Sequence, residues 1–358
     1  AVQHKGYYYA PDPSSQLACS IGGNVAENSG GVHSLKYGTT TNNILGVEMV
    51  MMDGTITRIG GKTLDQEGYD LLGLVCGSEG LLGVITEVTV KILRKPQSVR
   101  AALIGFPTVE DGGNCVSDII SSGIVPAGME MMDKALIDAT DKFSKAGYPK
   151  DAEVLMIVEL DGTKSEVDGL LNKVSEIAKQ NNSNSMKLSN NEKERLAFWS
   201  GRKAAFPACG AMAPDYYCMD GSIPRGKLSL ILKEINQLSK KYNLAVANAF
   251  HAGDGNLHPL IMFDGSDKEQ LRKTEEFGAE MDDSSLLAAA NDVISKPNLS
   301  ENRKAEKLLL ITQYLKPNDV DKAAAKSILR YDQQKSVVGE SEIRNYQDTK
   351  LEITQLIE

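Results

Sequence analysis

The chain has 358 residues, 41% of them hydrophobic and 24% charged, with a formal net charge of -9 and a pI near 5.2. That length buries more than one core, and the acidic balance excludes a surface built for nucleic acid, which needs clustered Lys and Arg against phosphate. Five scattered cysteines (Cys19, Cys76, Cys115, Cys209 and Cys218) with no C-x-x-C pair exclude a disulfide framework or a zinc ribbon.

The cysteines are read as reduced thiols in a cytosol-like compartment, and neither a membrane-length apolar run nor a signal-peptide pattern is seen. The chain opens without Met in a tyrosine-rich segment, so residues are expected upstream. Residues 1–97 are glycine-rich with short β-type runs. Residues 44–52 predict a strand, Asp53-Gly54 a hairpin turn and residues 55–59 the return strand. Val88, Val90 and Ile92 then alternate with Thr89 and Lys91, the pattern of a strand with one buried face. Over residues 98–280, apolar runs at 101–106, 153–160 and 244–250 predict strands between amphipathic helices, an α+β arrangement. The clearest helix is predicted at 226–242, where Leu228, Ile231, Leu232, Ile235 and Leu238 share one face as core. Beyond Met281 the composition changes: Gly339 is the one glycine, and His, Cys, Phe and Trp are absent. Residues 281–358 read as a helical tail broken at Pro297, Pro317 and Gly339.

The densest glycine cluster is Ile21-Gly22-Gly23-Asn24-Val25-Ala26-Glu27-Asn28-Ser29-Gly30-Gly31. Paired glycines let a backbone approach a ligand and turn N–H groups toward anionic oxygens. The spacing is not G-x-G-x-x-G, and alone the stretch would read as a set of tight turns. Pro11-Asp12-Pro13-Ser14-Ser15 lies upstream, and Gly77-Ser78-Glu79-Gly80-Leu81-Leu82-Gly83-Val84-Ile85-Thr86-Glu87 runs into the alternating strand. In this order the three segments resemble the FAD-binding domain of the vanillyl-alcohol oxidase superfamily. They are most similar to the glycolate oxidase and D-lactate dehydrogenase family of FAD-linked oxidases, over about residues 1–280. The resemblance implies a partial FAD-binding domain (1–97), an α+β substrate or cap domain (98–280) and an unmatched helical tail (281–358). It implies FAD contacts, largely through backbone loops, from Pro11, Ser14, Ser15, Gly22, Gly23, Asn24, Asn28, Gly30, Gly31, Gly77, Ser78, Glu79, Gly80, Gly83 and Val84. The family's first αβ half has no counterpart here, so weak or absent flavin binding and little turnover are expected of this chain.

Two of the four histidines lie in Phe250-His251-Ala252-Gly253-Asp254-Gly255-Asn256-Leu257-His258-Pro259. Two imidazoles beside a turn made flexible by Gly253 and Gly255 suit a divalent cation, and they suit ordinary hydrogen bonding equally well. The motif resembles the hallmark of the FAD-linked oxidase C-terminal domain, which implies His251 and His258 as ligands of zinc, manganese or iron. Asp254 and Asn256 would then hydrogen-bond the rings or the substrate, with turn formation as the alternative. The family's later S-G-E-H-G-x-G segment, with its Glu ligand and base, is not found; Gly339-Glu340-Ser341-Glu342 has the wrong order.

A guanidinium suits a substrate carboxylate, and in Phe198-Trp199-Ser200-Gly201-Arg202-Lys203 the resemblance implies Arg202 as that clamp, with a surface ion pair at a helix end as the alternative. Lys203 and Arg225 read as surface charges. The resemblance implies oxidation of glycolate or D-lactate to the 2-oxo acid, with Arg202, His251, His258 and Asn256 as catalytic residues and electrons passing to an iron-sulfur partner subunit. It places the protein in the cytoplasm, with any membrane association running through that partner. The alternative is a non-catalytic subunit or scaffold. A sugar-lactone or phenol oxidase is less well matched, since those relatives lack the His251–His258 motif.

Overall fold

The computed structural model describes residues 2–16, 18–63 and 68–295. They form two compact units, residues 2–212 with 247–254, and residues 213–246 with 255–295. Most of the expected tail, from residue 296, lies outside the described residues. Among those residues no helix is long and apolar enough to cross a membrane.

The first unit opens with β1 (Tyr7–Tyr8), helices α1 (Ile21–Ala26) and α2 (Ser34–Tyr37), and the hairpin of β2 (Ile44–Val50) and β3 (Ile56–Gly60). Then come α3 (Leu71–Val75), β4 (Val84–Val90) and β5 (Leu93–Arg94), which pairs with β1. The hairpin forms as its turn residues dictate: Gly54 takes φ +83°, and Asp53 Oδ1 accepts the Thr55 N–H at 2.9 Å. In the sheet β3-β2-β4 the register slips between Glu48 and Met49. That bulge lets Ile85, Val88 and Val90 all pack on the small core of Val25, Ile44, Val47, Met49 and Val75. Ile92 falls beyond β4 and is exposed, so the simple alternation fails at its last position.

The same unit continues through β6 (Ser98–Phe106), α4 (Val109–Ser121), β7 (Gly128–Asp133), α5 (Lys134–Ser144), β8 (Val154–Gly162), α6 (Lys164–Gln180), β9 (Ser185–Leu188), α7 (Glu192–Lys203) and α8 (Ala205–Cys209). Thr108, Asp133, Thr163 and Asn191 cap the four longer helices through their side-chain oxygens. β6 and β8 are buried nearly throughout, which is why their sequences read as continuous apolar runs.

In the second unit β10 (Asp215–Cys218) and β11 (Gly221–Ser222) precede α9 (Leu228–Tyr242), whose five predicted stripe residues are all buried. The chain then returns to the first unit in β12 (Val246–His251), of which residues 247–251 belong there. This completes an antiparallel sheet of order β12-β7-β8-β6-β9. β13 (Asn256–Phe263), in the second unit, pairs antiparallel with β10 and β11. α10 (Lys268–Ser295) packs on α9, with the Tyr242 and Phe277 rings 5.7 Å apart.

Candidate active site

The Pro11–Ser15 stretch and the two glycine-bearing segments meet in the first unit. Residues 21–26 are not the expected loop but the short helix α1, its N-terminus closed by Ser20 Oγ accepting from Gly23 N at 3.0 Å. Gly22 is there for packing: a Cβ would sit 2.7 Å from the Ile85 carbonyl oxygen of β4. The carbonyls at the end of α1 are taken by the second segment, Gly77 N donating to Val25 O and Glu79 N to Ala26 O, both at 2.9 Å. Gly77, Glu79 and Gly80 all have left-handed φ, and nothing lies within 4 Å of a Cβ built on Gly80. Asn28, also left-handed, accepts the Thr41 N–H at 3.0 Å, and Asn24 is buried beneath the turn, accepting from Ser29 Oγ. At Gly31 a Cβ would stand 2.5 Å from the Asp12 carbonyl oxygen, so the Pro11–Ser15 stretch, with Ser14 and Ser15 exposed, lies alongside. Gly83, at φ +152°, sits against the Val50 carbonyl, and Val84 is exposed. An open, left-handed glycine backbone beside tightly stitched turns fits a flat, anionic cofactor held by main chain.

A second cluster is built around one buried carboxylate. Glu130, on β7 and 1% exposed, accepts from Arg202 Nε at 2.9 Å and is ion-paired with the same guanidinium, whose Nη2 stands 2.8 Å away. Its other oxygen stands 2.6 Å from His251 Nδ1 on β12, the strand next to β7. Burial opposes ionisation of Glu130, but the charges of Arg202 and His251 outweigh it and hold the carboxyl below its usual range. For His251, burial acts downward, and the Glu130 charge and hydrogen bond reverse it, so its pKa is raised. Arg202 is itself buried, and one edge of its guanidinium is already committed to Glu130.

Arg202 is also placed by Tyr148. The Tyr148 hydroxyl donates to Phe198 O at 2.7 Å and accepts from Arg202 N at 3.1 Å, inserting itself into the i→i−4 ladder of α7. Gly201 permits this approach, because a Cβ there would lie 2.4 Å from the Tyr148 ring.

A third cluster passed unnoticed in the sequence. Glu159, buried on β8, accepts from Trp199 Nε1 at 2.6 Å and Arg195 Nη1 at 2.7 Å, and stands 3.0 Å from His33 Nε2. His33 Nδ1 is 2.8 Å from Asp12. Burial works against the imidazolium, but hydrogen bonds and charges from Asp12 and Glu159 push the His33 pKa up to about 10. The signal that could have found Glu130 and Glu159 is an acidic residue inside an apolar strand, in Met129-Glu130-Met131 and Val158-Glu159-Leu160.

Within 250–259 the structure separates roles that the motif joins. Gly253 is tight, not flexible: its Cβ would meet Leu35 at 2.2 Å and Met129 at 3.3 Å. Gly255 takes the left-handed turn, at φ +83°. His258 and Asn256 lie on β13 in the second unit, where Asn256 pairs with Ser222 and His258 Nδ1 is 3.9 Å from Asp220. Among the described residues no three His, Cys, Asp or Glu side chains converge as a metal site, so the donor set there does not fit a metal by itself.

Residues 95–296 match the C-terminal domain of FAD linked oxidases, and residues 1–60 match an FAD binding domain. The chain belongs to the FAD-linked oxidase family. Among curated relatives, this FAD-linked oxidase chain is 52% identical over 281 residues to glycolate oxidase subunit GlcD of Escherichia coli (strain K12), covering 78% of the chain and 56% of that protein. To GlcD of Bacillus subtilis (strain 168) it is 36% identical, covering 78% and 60%. To the mitochondrial D-lactate dehydrogenase [cytochrome] of Arabidopsis thaliana it is 31% identical, covering 76% and 48%. The chain thus spans about half the length of the curated relatives it matches. Solved structures share the fold: alkyldihydroxyacetonephosphate synthase at TM-score 0.63 and 18% identity (79% of this chain, 56% of that one), and p-cresol methylhydroxylase at 0.60 and 14% (88% and 71%). The α+β reading of the fold is thereby confirmed.

Proposed function

We propose that this chain carries part of the FAD cradle and the substrate-binding side of a 2-hydroxy-acid dehydrogenase that oxidises glycolate or D-lactate to the 2-oxo acid. The observation that carries the proposal is the placing of a guanidinium, Arg202, and an imidazole, His251, on the two oxygens of Glu130. Arg202 binds the substrate carboxylate through the part of its fork that Glu130 does not engage. His251 takes the hydroxyl proton as the α-carbon gives up a hydride. FAD held by the cradle would supply the two-electron acceptor for that hydride, leaving the carbon, short of one C–H bond, as the carbonyl. The stitched segments 22–31 and 77–84, with Pro11, Ser14 and Ser15, are the proposed cradle.

For His258 and Asn256 the proposed part in catalysis rests on the motif alone. A divalent cation on His251 would take the Nε2 lone pair that this base role needs, so the cation that the motif implies for His251 and His258 is not part of this proposal. GlcD is named as a subunit of glycolate oxidase, which supports a partner; an iron-sulfur electron acceptor and a cytoplasmic location, like the division at residues 97 and 280, are part of this proposal.

Flavin absorbance in the protein mixed with FAD, weak as the partial cradle implies, that bleaches anaerobically on adding glycolate or D-lactate would support this reading. Arg202→Met should cut kcat/KM by roughly 10–150-fold, the worth of a charge-assisted hydrogen bond of about 1.5–3 kcal/mol. A colourless, stably folded protein that leaves both acids unchanged would favour the scaffold reading instead.

A further inference from the structure

We infer that Glu130 is the positioning residue of this site, fixing the tautomer of His251 and the orientation of Arg202 with one buried carboxylate. Its two oxygens divide the work: Oε2 accepts from Nε of Arg202, with Nη2 beside it as an ion-pair contact, and Oε1 faces His251 Nδ1. A carboxylate only accepts, so the Nδ1 it faces carries a proton. In the neutral imidazole the lone pair is then at Nε2, on the ring edge turned away from Glu130. This is the arrangement by which a carboxylate orients a histidine that acts at its other nitrogen. At 1% exposure, with both partners drawn from distant parts of the chain, Glu130 has no solvent with which to share either bond. A donor on each of its two oxygens is a match specific to a carboxylate. In Glu130→Gln the amide oxygen must face Arg202, which has donors only, and the NH2 group then faces His251 and requires an unprotonated Nδ1.

The functional meaning rests on the reaction proposed above; the tautomer does not. The test is long-range 15N–1H correlation NMR on 15N-histidine-labelled protein, at a pH where His251 is neutral, with the four histidines assigned by single substitutions. Wild type should show a pyrrole-like Nδ1 at His251, and Glu130→Gln should switch it to pyridine-like. In parallel kcat/KM should fall roughly 10–100-fold, through both a raised KM as Arg202 loosens and a lowered kcat as Nε2 becomes protonated. A role confined to stability would lower the melting temperature without moving the tautomer. An Nε2–H tautomer in wild type overturns the inference even if Glu130→Gln does not fold, as does a variant with unchanged signature and kcat. A wild type with the Nδ1–H form that oxidises neither acid would overturn the reaction, not Glu130's hold on His251.

Discussion

Glycines in this chain answer to two different physical demands, and substitution separates them. Gly22 lies in a helix but is pinned against a backbone oxygen of β4, an atom that cannot swing aside. Gly22→Ala should push α1 off the sheet and destabilise the protein by about 1–3 kcal/mol, the usual cost of overpacking. Gly169 is the contrasting case: it is exposed within α6, and a Cβ there would meet nothing within 4 Å. Gly169→Ala should stabilise by about 0.5–1 kcal/mol through helix propensity alone. Urea midpoints of the two variants should move in opposite directions; a shift of the same sign would contradict the assigned packing of α1.

At the level of elements, α7 is the organiser. Arg195, Trp199 and Arg202 follow at spacings of four and three and so share one face, which lies over the sheet residues Glu159 and Glu130. Pairing of Glu130 with Ile157, and of Gly128 with Glu159, puts the two carboxylates on one side of the sheet, two positions apart. His33 joins this layer as a cation, and its effect on stability has a definite sign. Its folded pKa, about 10, exceeds the ordinary 6.5, so its contribution is complete below about pH 6.5 and is lost as pH rises toward 10. Chemical denaturation of wild type and His33→Gln from pH 6 to 10 should show the gap between them largest at pH 6 and closing on the alkaline side. A gap independent of pH would mean that His33 is not an imidazolium in the folded protein.

For the whole molecule, the ligand-linked property is flavin binding. If segments 22–31 and 77–84 form the cradle, FAD binds the folded state alone and stabilises it by about 2.7 kcal/mol at a hundredfold excess over Kd. The melting temperature should therefore climb with the logarithm of FAD concentration. Riboflavin, which lacks the diphosphate, should stabilise less at equal concentration if main-chain amides hold that group; equal effects would remove the diphosphate from the cradle.

What the chain's local chemistry determined is visible wherever a few neighbouring residues suffice. The Asp53-Gly54 hairpin, the apolar face of α9, the buried runs of β6 and β8 and the order of Pro11–Ser15 and the two glycine segments were all legible in the sequence, because turn dihedrals and burial periods are short-range properties. Tertiary structure decided the rest. Gly22 and Gly23 became helical because Ser20 caps them and β4 lies against them. Glu130 acquired its role from partners 72 and 121 residues away, and His33 acquired its charge from Asp12 and Glu159, 21 and 126 residues distant. A buried carboxylate is stable only when cations from remote elements reach it, and one chain read in order does not state which remote residues will be opposite each other.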